Sequence, residues 1–136
     1  MKLKHLFICL CLISTTFCGS NPTLRLTLSG PTAFQDSNVK DIVFVIINIP
    51  GPNGGLDQDN DGVADSFVYP SGCGGAKPAG CGFPPQSGDL EVGDLPLNFQ
   101  YKVTVQLRNA TGTVIHSGSA TFDNKKDAQA VAIVVN

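Results

Sequence analysis

Beyond residue 22 the chain carries runs in which hydrophobic and polar residues alternate. In residues 23–28, Leu24, Leu26 and Leu28 fall on one side, with Arg25 and Thr27 on the other. Ser29-Gly30-Pro31 ends that run with turn chemistry. Residues 41–49 are β-branched and apolar on both sides, as expected of a central strand covered on each face. The longest alternation is residues 97–108. Leu97, Phe99, Tyr101, Val103, Val105 and Leu107 face one way, and Asn98, Gln100, Lys102, Thr104, Gln106 and Arg108 the other. Such a strand has one face on a core and one in water. A turn at 109–112 leads into a hairpin partner at 113–117. A short strand at 119–123, a charged turn at 124–127 and a last strand at 128–135 follow. No segment here carries a helical period. Strands at this hairpin spacing predict an all-β fold, a single antiparallel β-sandwich over residues 23–136.

Within it, Leu95-Pro96, then Tyr101-Lys102-Val103-Thr104-Val105, then Asn109-Ala110-Thr111-Gly112 resembles a known strand. It is similar to the tyrosine-corner strand and following turn of immunoglobulin-like and fibronectin type III domains. The resemblance implies an immunoglobulin-like sandwich in which the Tyr101 hydroxyl ties back to backbone near the Leu-Pro corner. The tryptophan usual in the opposite sheet is missing, since the chain has no Trp.

Residues 51–88 interrupt the strand pattern and read as a long loop insertion. Loops of that length are usually functional or disordered, and two features point to local order. The first is Asp57-Gln58-Asp59-Asn60-Asp61-Gly62-Val63-Ala64-Asp65. Carboxylates at alternate positions can converge on one cation, with Gly62 allowing the sharp turn and Val63 offering its carbonyl. Hard oxygen ligands in this pattern suit Ca²⁺. The segment resembles thrombospondin type 3 and dockerin-type calcium loops and the first nine residues of an EF-hand loop. That resemblance implies side-chain oxygens from Asp57, Asp59 and Asp61, a main-chain oxygen from Val63, and Asp65 bound directly or through water. Val68 stands at the twelfth position, where those families place a bidentate acid, so weak affinity is expected unless Asp89 or another oxygen folds in. The competing reading is a solvated acidic turn. The second feature is Cys73 and Cys81, set among glycines and prolines, which should form a disulfide in an oxidising compartment. Phe67, Tyr69 and Phe83 lie in the same insertion. They are either anchors for a protein partner or a small internal core.

The N-terminus changes where this domain is expected to work. Lys2 and Lys4 precede an apolar run at 6–13, too short to span a bilayer but of signal-peptide length. Ser14-Thr15-Thr16-Phe17-Cys18-Gly19-Ser20 resembles a bacterial lipoprotein signal, with Phe17 where that motif has a small residue. The resemblance implies a signal peptide at 1–17, lipidation of Cys18 and a tether at 18–22. Cutting before Asn21 to release a soluble secreted protein is the alternative. Loss of Lys2 and Lys4 leaves the mature chain more acidic than the net −2 of the whole sequence. An acidic chain without a basic run offers nothing to nucleic acid. No phosphate loop, nucleophile elbow or zincin motif occurs, and His116 is expected to be a surface or strand-edge residue. The expectation is therefore a non-enzymatic cell-envelope lipoprotein. It would be held to the membrane by lipid and meet a protein partner, as in an adhesin, through a calcium-ordered loop. A secreted carbohydrate-binding module and an accessory subunit of an envelope complex are the alternatives.

Overall fold

A computed structural model describes residues 22–52, 54–75 and 80–136. Its elements are β1 (Leu24–Ser29), α1 (Pro31–Phe34), β2 (Asp41–Ile49), β3 (Ser66–Tyr69), β4 (Gly88–Val92), β5 (Phe99–Arg108), β6 (Val114–Asn124) and β7 (Gln129–Val134). They form two packed sheets, ordered β4-β1-β7 and β3-β2-β5-β6. The protein is an all-β sandwich. Between the sheets lie Leu24, Leu26 and Leu28 from β1 and Ile42, Phe44 and Ile46 from β2. Tyr101, Val103, Val105 and Leu107 from β5 complete the centre with Val131 and Ile133 from β7. The alternating strands bury the faces their sequences assign.

The sheets depart from an all-antiparallel pattern at one place. β7 lies parallel to β1, whereas every other strand pair is antiparallel. Chain direction explains this. β6 ends where β1 begins, and the turn between β6 and β7 is fixed there by Thr23 N–H, which donates to Asp127 Oδ1 at 2.7 Å. A chain leaving that turn can only run alongside β1 in the same direction. At its far end Asn136 exchanges two backbone bonds with Ser117 of β6, both 3.2 Å, and so ties the sheets together.

Five features differ from the sequence reading, the first being β4, which it does not assign. Residues 113–117 and 119–123 belong to one strand, β6. Gly118 does not break it but lets β7 pass close by, since a Cβ there would collide with the Val134 carbonyl. β5 starts at Phe99, because Asn98 sits at φ 68° and turns the chain into the strand. A single helical turn, α1, follows Gly30. The insertion at 51–88 is not strand-free: residues 66–69 form β3 on the edge of β2, with Phe44 opposite Tyr69 and Ile46 opposite Phe67.

Arg108 is the largest correction. Its place in the alternation predicts water, yet it is 1% exposed and ion-paired to Asp41, also buried. The segment around the Cys73–Cys81 disulfide covers the outer face of the sheet here. Arg108 Nη1 donates to Cys73 O at 3.0 Å, and the Gly80 and Gly82 amides each donate to Asp41 Oδ2 at 3.1 Å. The same cover buries Val43 beside Asp41, while Ile47, farther along β2, is 45% exposed. β2 is thus covered on both faces only in its first half.

Candidate functional site

The aspartate loop is fastened to the sandwich before its carboxylates are placed. Asn48, buried at the end of β2, accepts the Leu56 amide at 2.6 Å on Oδ1 and donates Nδ2 to Gln100 O at 3.0 Å. Asp65 closes the other side: its amide donates to Leu56 O and its carbonyl accepts the Asn48 amide. The eight residues between are pinned at both ends by Asn48, through its side chain at Leu56 and its main-chain amide at Asp65.

Within that frame the chain curls around its own carboxylates. Asp57 accepts the amides of Asp61 at 3.1 Å and Gly62 at 3.0 Å, and Asp61 Oδ1 accepts the Val63 amide at 2.7 Å. Asn60 and Gly62 take positive φ, 57° and 83°, which makes the tight turn. As a result Asp57, Asp59 and Asp61 each place a carboxylate oxygen within 4.8 Å of the others, a group that could hold a metal ion. The Asp61 amide lowers the pKa of Asp59, but the negative charges of Asp61 and Asp57 outweigh it, and the net shift is upward. A cation at the centre would relieve that repulsion.

The remaining expected ligands are placed differently. Asp65 lies outside that group of three, and its Oδ2 accepts the Gln58 amide at 3.1 Å. It lines an adjoining cleft of about 210 Å³ with Asp59, Asp61 and Val63, whose side chain is 65% exposed. Val68 is held in β3 and cannot turn back as a twelfth ligand. Asp89 is far away as well. It sits in β4, accepts from Thr27 Oγ1 at 2.7 Å, and belongs to the opposite end of the sandwich.

Phe67, Tyr69 and Phe83 all turn toward the interior. Phe67 meets the Tyr101 ring edge-on at 6.3 Å, Phe83 lies 5.5 Å from Phe44, and Tyr69 Oη donates to Gly93 O at 2.6 Å. All three pack against the core while keeping part of their surface exposed. Phe67 and Tyr69 keep part of their surface in a groove of about 640 Å³ that also includes Pro22, Gln58, Asp94 and Pro96. Tyr101 makes the corner bond expected of it, Oη donating to Pro96 O at 2.9 Å, and burial pushes its pKa up to about 12.

The Cys73–Cys81 disulfide is present, with Cα atoms 5.7 Å apart, inside the usual span. His116 is a strand residue on β6, half-buried and 2.9 Å from Asp36 Oδ2, at the rim of a cleft of about 430 Å³ that includes Lys40 and Asn109. The sequence reading missed two residues that organise the insertion, Asn48 and Arg108. A polar residue closing an apolar strand, and a charged one ending an alternating strand, are the only signals of them. The signal segment and Cys18 lie outside the described residues. Among the described residues no helix is long and apolar enough to cross a membrane. No protein-family model, curated protein or solved structure matches this chain.

Proposed function

We propose that the chain is a non-enzymatic binding or structural module of the cell envelope, exported and lipid-anchored through Cys18, with Ca²⁺ ordering the aspartate loop. The observation that carries the metal part is the convergence of Asp57, Asp59 and Asp61 on a loop pinned at both ends by Asn48. Calcium is preferred to magnesium because an exposed, one-sided set of three carboxylates leaves the remaining positions to water. Calcium accepts such irregular, oxygen-rich shells, whereas magnesium demands a tight octahedron. Without a twelfth-position acid the dissociation constant should lie on the order of 10⁻⁴–10⁻³ M, the range of extracellular modules.

Anchoring is supported by the lipoprotein-like segment ending at Cys18 and by the direction in which the chain enters the sandwich. Pro22 shares a groove with Gln58, so the tether leaves beside the aspartate loop. Four residues from Cys18 span at most about 14 Å, which would hold this end of the domain close to the membrane and point the disulfide end outward.

Two measurements test the proposal. Calorimetric titration of the exported protein should show calcium binding that the Asp59→Ala, Asp61→Ala protein lacks; no heat from the native loop would leave only an acidic turn. Intact mass should show diacylglycerol and an acyl chain on Cys18. A free N-terminus at Asn21 would overturn the anchor and leave a secreted protein.

A further inference from the structure

The two seams of the sandwich differ. One is closed by the Asn136–Ser117 backbone bonds. The other, between β3 and the corner formed by Asp94 and Pro96, is bridged by the Tyr69–Gly93 bond but keeps an open groove. β3 is an edge strand, and its hydrogen-bonding phase can be read from its neighbours. Ile42 and Phe83 exchange both backbone bonds at 2.9 Å, and the Asn48 amide donates to Asp65 O at 3.0 Å. The even-numbered residues of β2 therefore point their N–H and C=O groups at β3. Phe67 and Tyr69, opposite Ile46 and Phe44, are the β3 residues that answer them. By alternation, Ser66 and Val68 aim their backbone groups at the groove. Such a row is a template for another strand.

Charge says what kind of strand. Asp94 lines the groove, and Gln58 brings in the aspartate loop, its amide bonded to the Asp65 carboxylate. No Lys or Arg is among the described residues lining it. Burial, and after it the negative charge of Asp94, raise the Tyr69 pKa. A second copy of this chain would bring its own Asp94 into the same space, like charge against like.

We propose that the open edge of β3 binds an extended, basic segment of a partner protein as a fifth strand of the four-stranded sheet. The proposal rests on the reading of the chain as a binding module, and names that module's contact surface. Backbone bonds to Ser66 and Val68 hold the segment. Its inward side chains enter the seam, where lysine or arginine lays its stem along Phe67, Tyr69 and Pro96 and its charge beside Asp94.

The probe is an acetylated octapeptide of alternating threonine and lysine, titrated into the ¹⁵N-labelled exported protein. Ser66 and Val68 amides should shift and gain protection from exchange, while those of Phe67 and Tyr69, already bonded to β2, change little. The threonine–glutamate peptide should bind at least fivefold more weakly, and Asp94→Asn should cost about two- to fivefold in affinity for the lysine peptide, as one exposed charge contact does. Methylating alternate peptide nitrogens should abolish binding without altering the protein.

Equal binding of the two peptides overturns the charge argument. Binding that leaves Ser66 and Val68 unmoved overturns strand addition. No response at about 1 mM peptide, the weak end of specific recognition, overturns the site. Protection of both amides before any peptide is added means the chain's own N-terminal segment or a second copy fills the groove, and overturns it too. Calcium titrated into the same samples separates the readings: a calcium response without a peptide response removes the groove and leaves the metal loop standing.

Discussion

Asp41 and Arg108 face each other across β2 and β5 at the rim where the disulfide segment lies down on the sheet. The guanidinium meets the carboxylate with two bonds, Nε to Oδ1 at 2.9 Å and Nη2 to Oδ2 at 2.7 Å. The pair's remaining bonds go to the segment above, to its backbone and, from Arg108 Nη2, to Cys81 Sγ at 3.9 Å. Removing one partner strands a buried charge. Arg108→Met should therefore cost about 3–5 kcal/mol, and the double change Asp41→Leu, Arg108→Met should recover much of that loss. The pair also sets an acid limit. Arg108 holds the Asp41 carboxyl below its ordinary value, against the opposing effect of burial, with help from the Gly80 and Gly82 amides. A depressed folded pKa means that the unfolded chain takes up the proton first. The stabilisation is complete above the unfolded carboxylate value of about 3.9 and is lost as pH falls through the lower folded value. Urea midpoints measured from neutral pH downward should fall steeply below about pH 4 in the native protein, and less steeply in Asp41→Asn, which starts lower. Tyr101 is a milder case. Tyr101→Phe keeps the packing and removes only the bond to Pro96, a loss of about 1 kcal/mol that the same denaturation curves would resolve.

At the scale of elements, legibility in the sequence followed burial of one face. β1, β5 and β7 each place alternate side chains between the sheets, so period two survives in their sequences, whereas β2 is legible as an unbroken apolar run. β3 was hidden because it is four residues long and set in a glycine- and proline-rich stretch. Its order comes from pairing with β2 rather than from its own pattern. The parallel placement of β7 was equally hidden, since alternation fixes faces and not neighbours. The aspartate loop was legible as ligand chemistry, because its spacing is local. Its attachment was not, because Asn48 and Gln100 become neighbours only after β2 and β5 pair. The disulfide could be read from cysteine parity and compartment, whereas the ion pair beneath it depends on register. Gly118 makes the element-scale test. The sequence reading sets a break between strands at this residue, and the structure places it where β6 and β7 nearly touch. Gly118→Ala should push the Val134 backbone away and destabilise the protein by roughly 1–3 kcal/mol, the cost of overpacking, with hydrogen exchange rising first at the Ser117–Asn136 closure. An unchanged melting temperature would mean that β7 can shift freely at this point.

For the whole molecule the ends of the sandwich are chemically distinct. Pro22, the aspartate loop and the open groove share one end with the Tyr101 corner. The disulfide segment, the Asp41–Arg108 pair and the His116–Asp36 pair share the other. The ends are joined by the same two strands, since β2 runs from Asp41 to Asn48 and β5 from Gln100 to Arg108. An ion that binds only the folded loop must therefore stabilise the entire sandwich, provided it unfolds as one cooperative unit. The gain follows RT ln(1 + [Ca²⁺]/Kd) and reaches roughly 2.7 kcal/mol at a hundredfold excess over Kd. For a domain of this size that should raise the melting temperature by roughly 8–15 °C, at about 4–8 °C per kcal/mol scaled down for length. Magnesium at the same concentration should do less. The Asn48→Ala protein separates fastening from ligation: its three aspartates and the main-chain bond to Asp65 are intact, but the Leu56 amide loses its acceptor and the loop one of its two fastenings. It should keep a calcium response of smaller size, because ordering the loop then consumes part of the binding energy. The Asp59→Ala, Asp61→Ala protein should keep none. If calcium shifts the native protein and the doubly substituted one equally, the ion is acting elsewhere on an acidic surface. If it shifts Asn48→Ala as much as the native protein, the loop is ordered by its own Asp57–Gly62 bonds and the buried amide contributes only to packing.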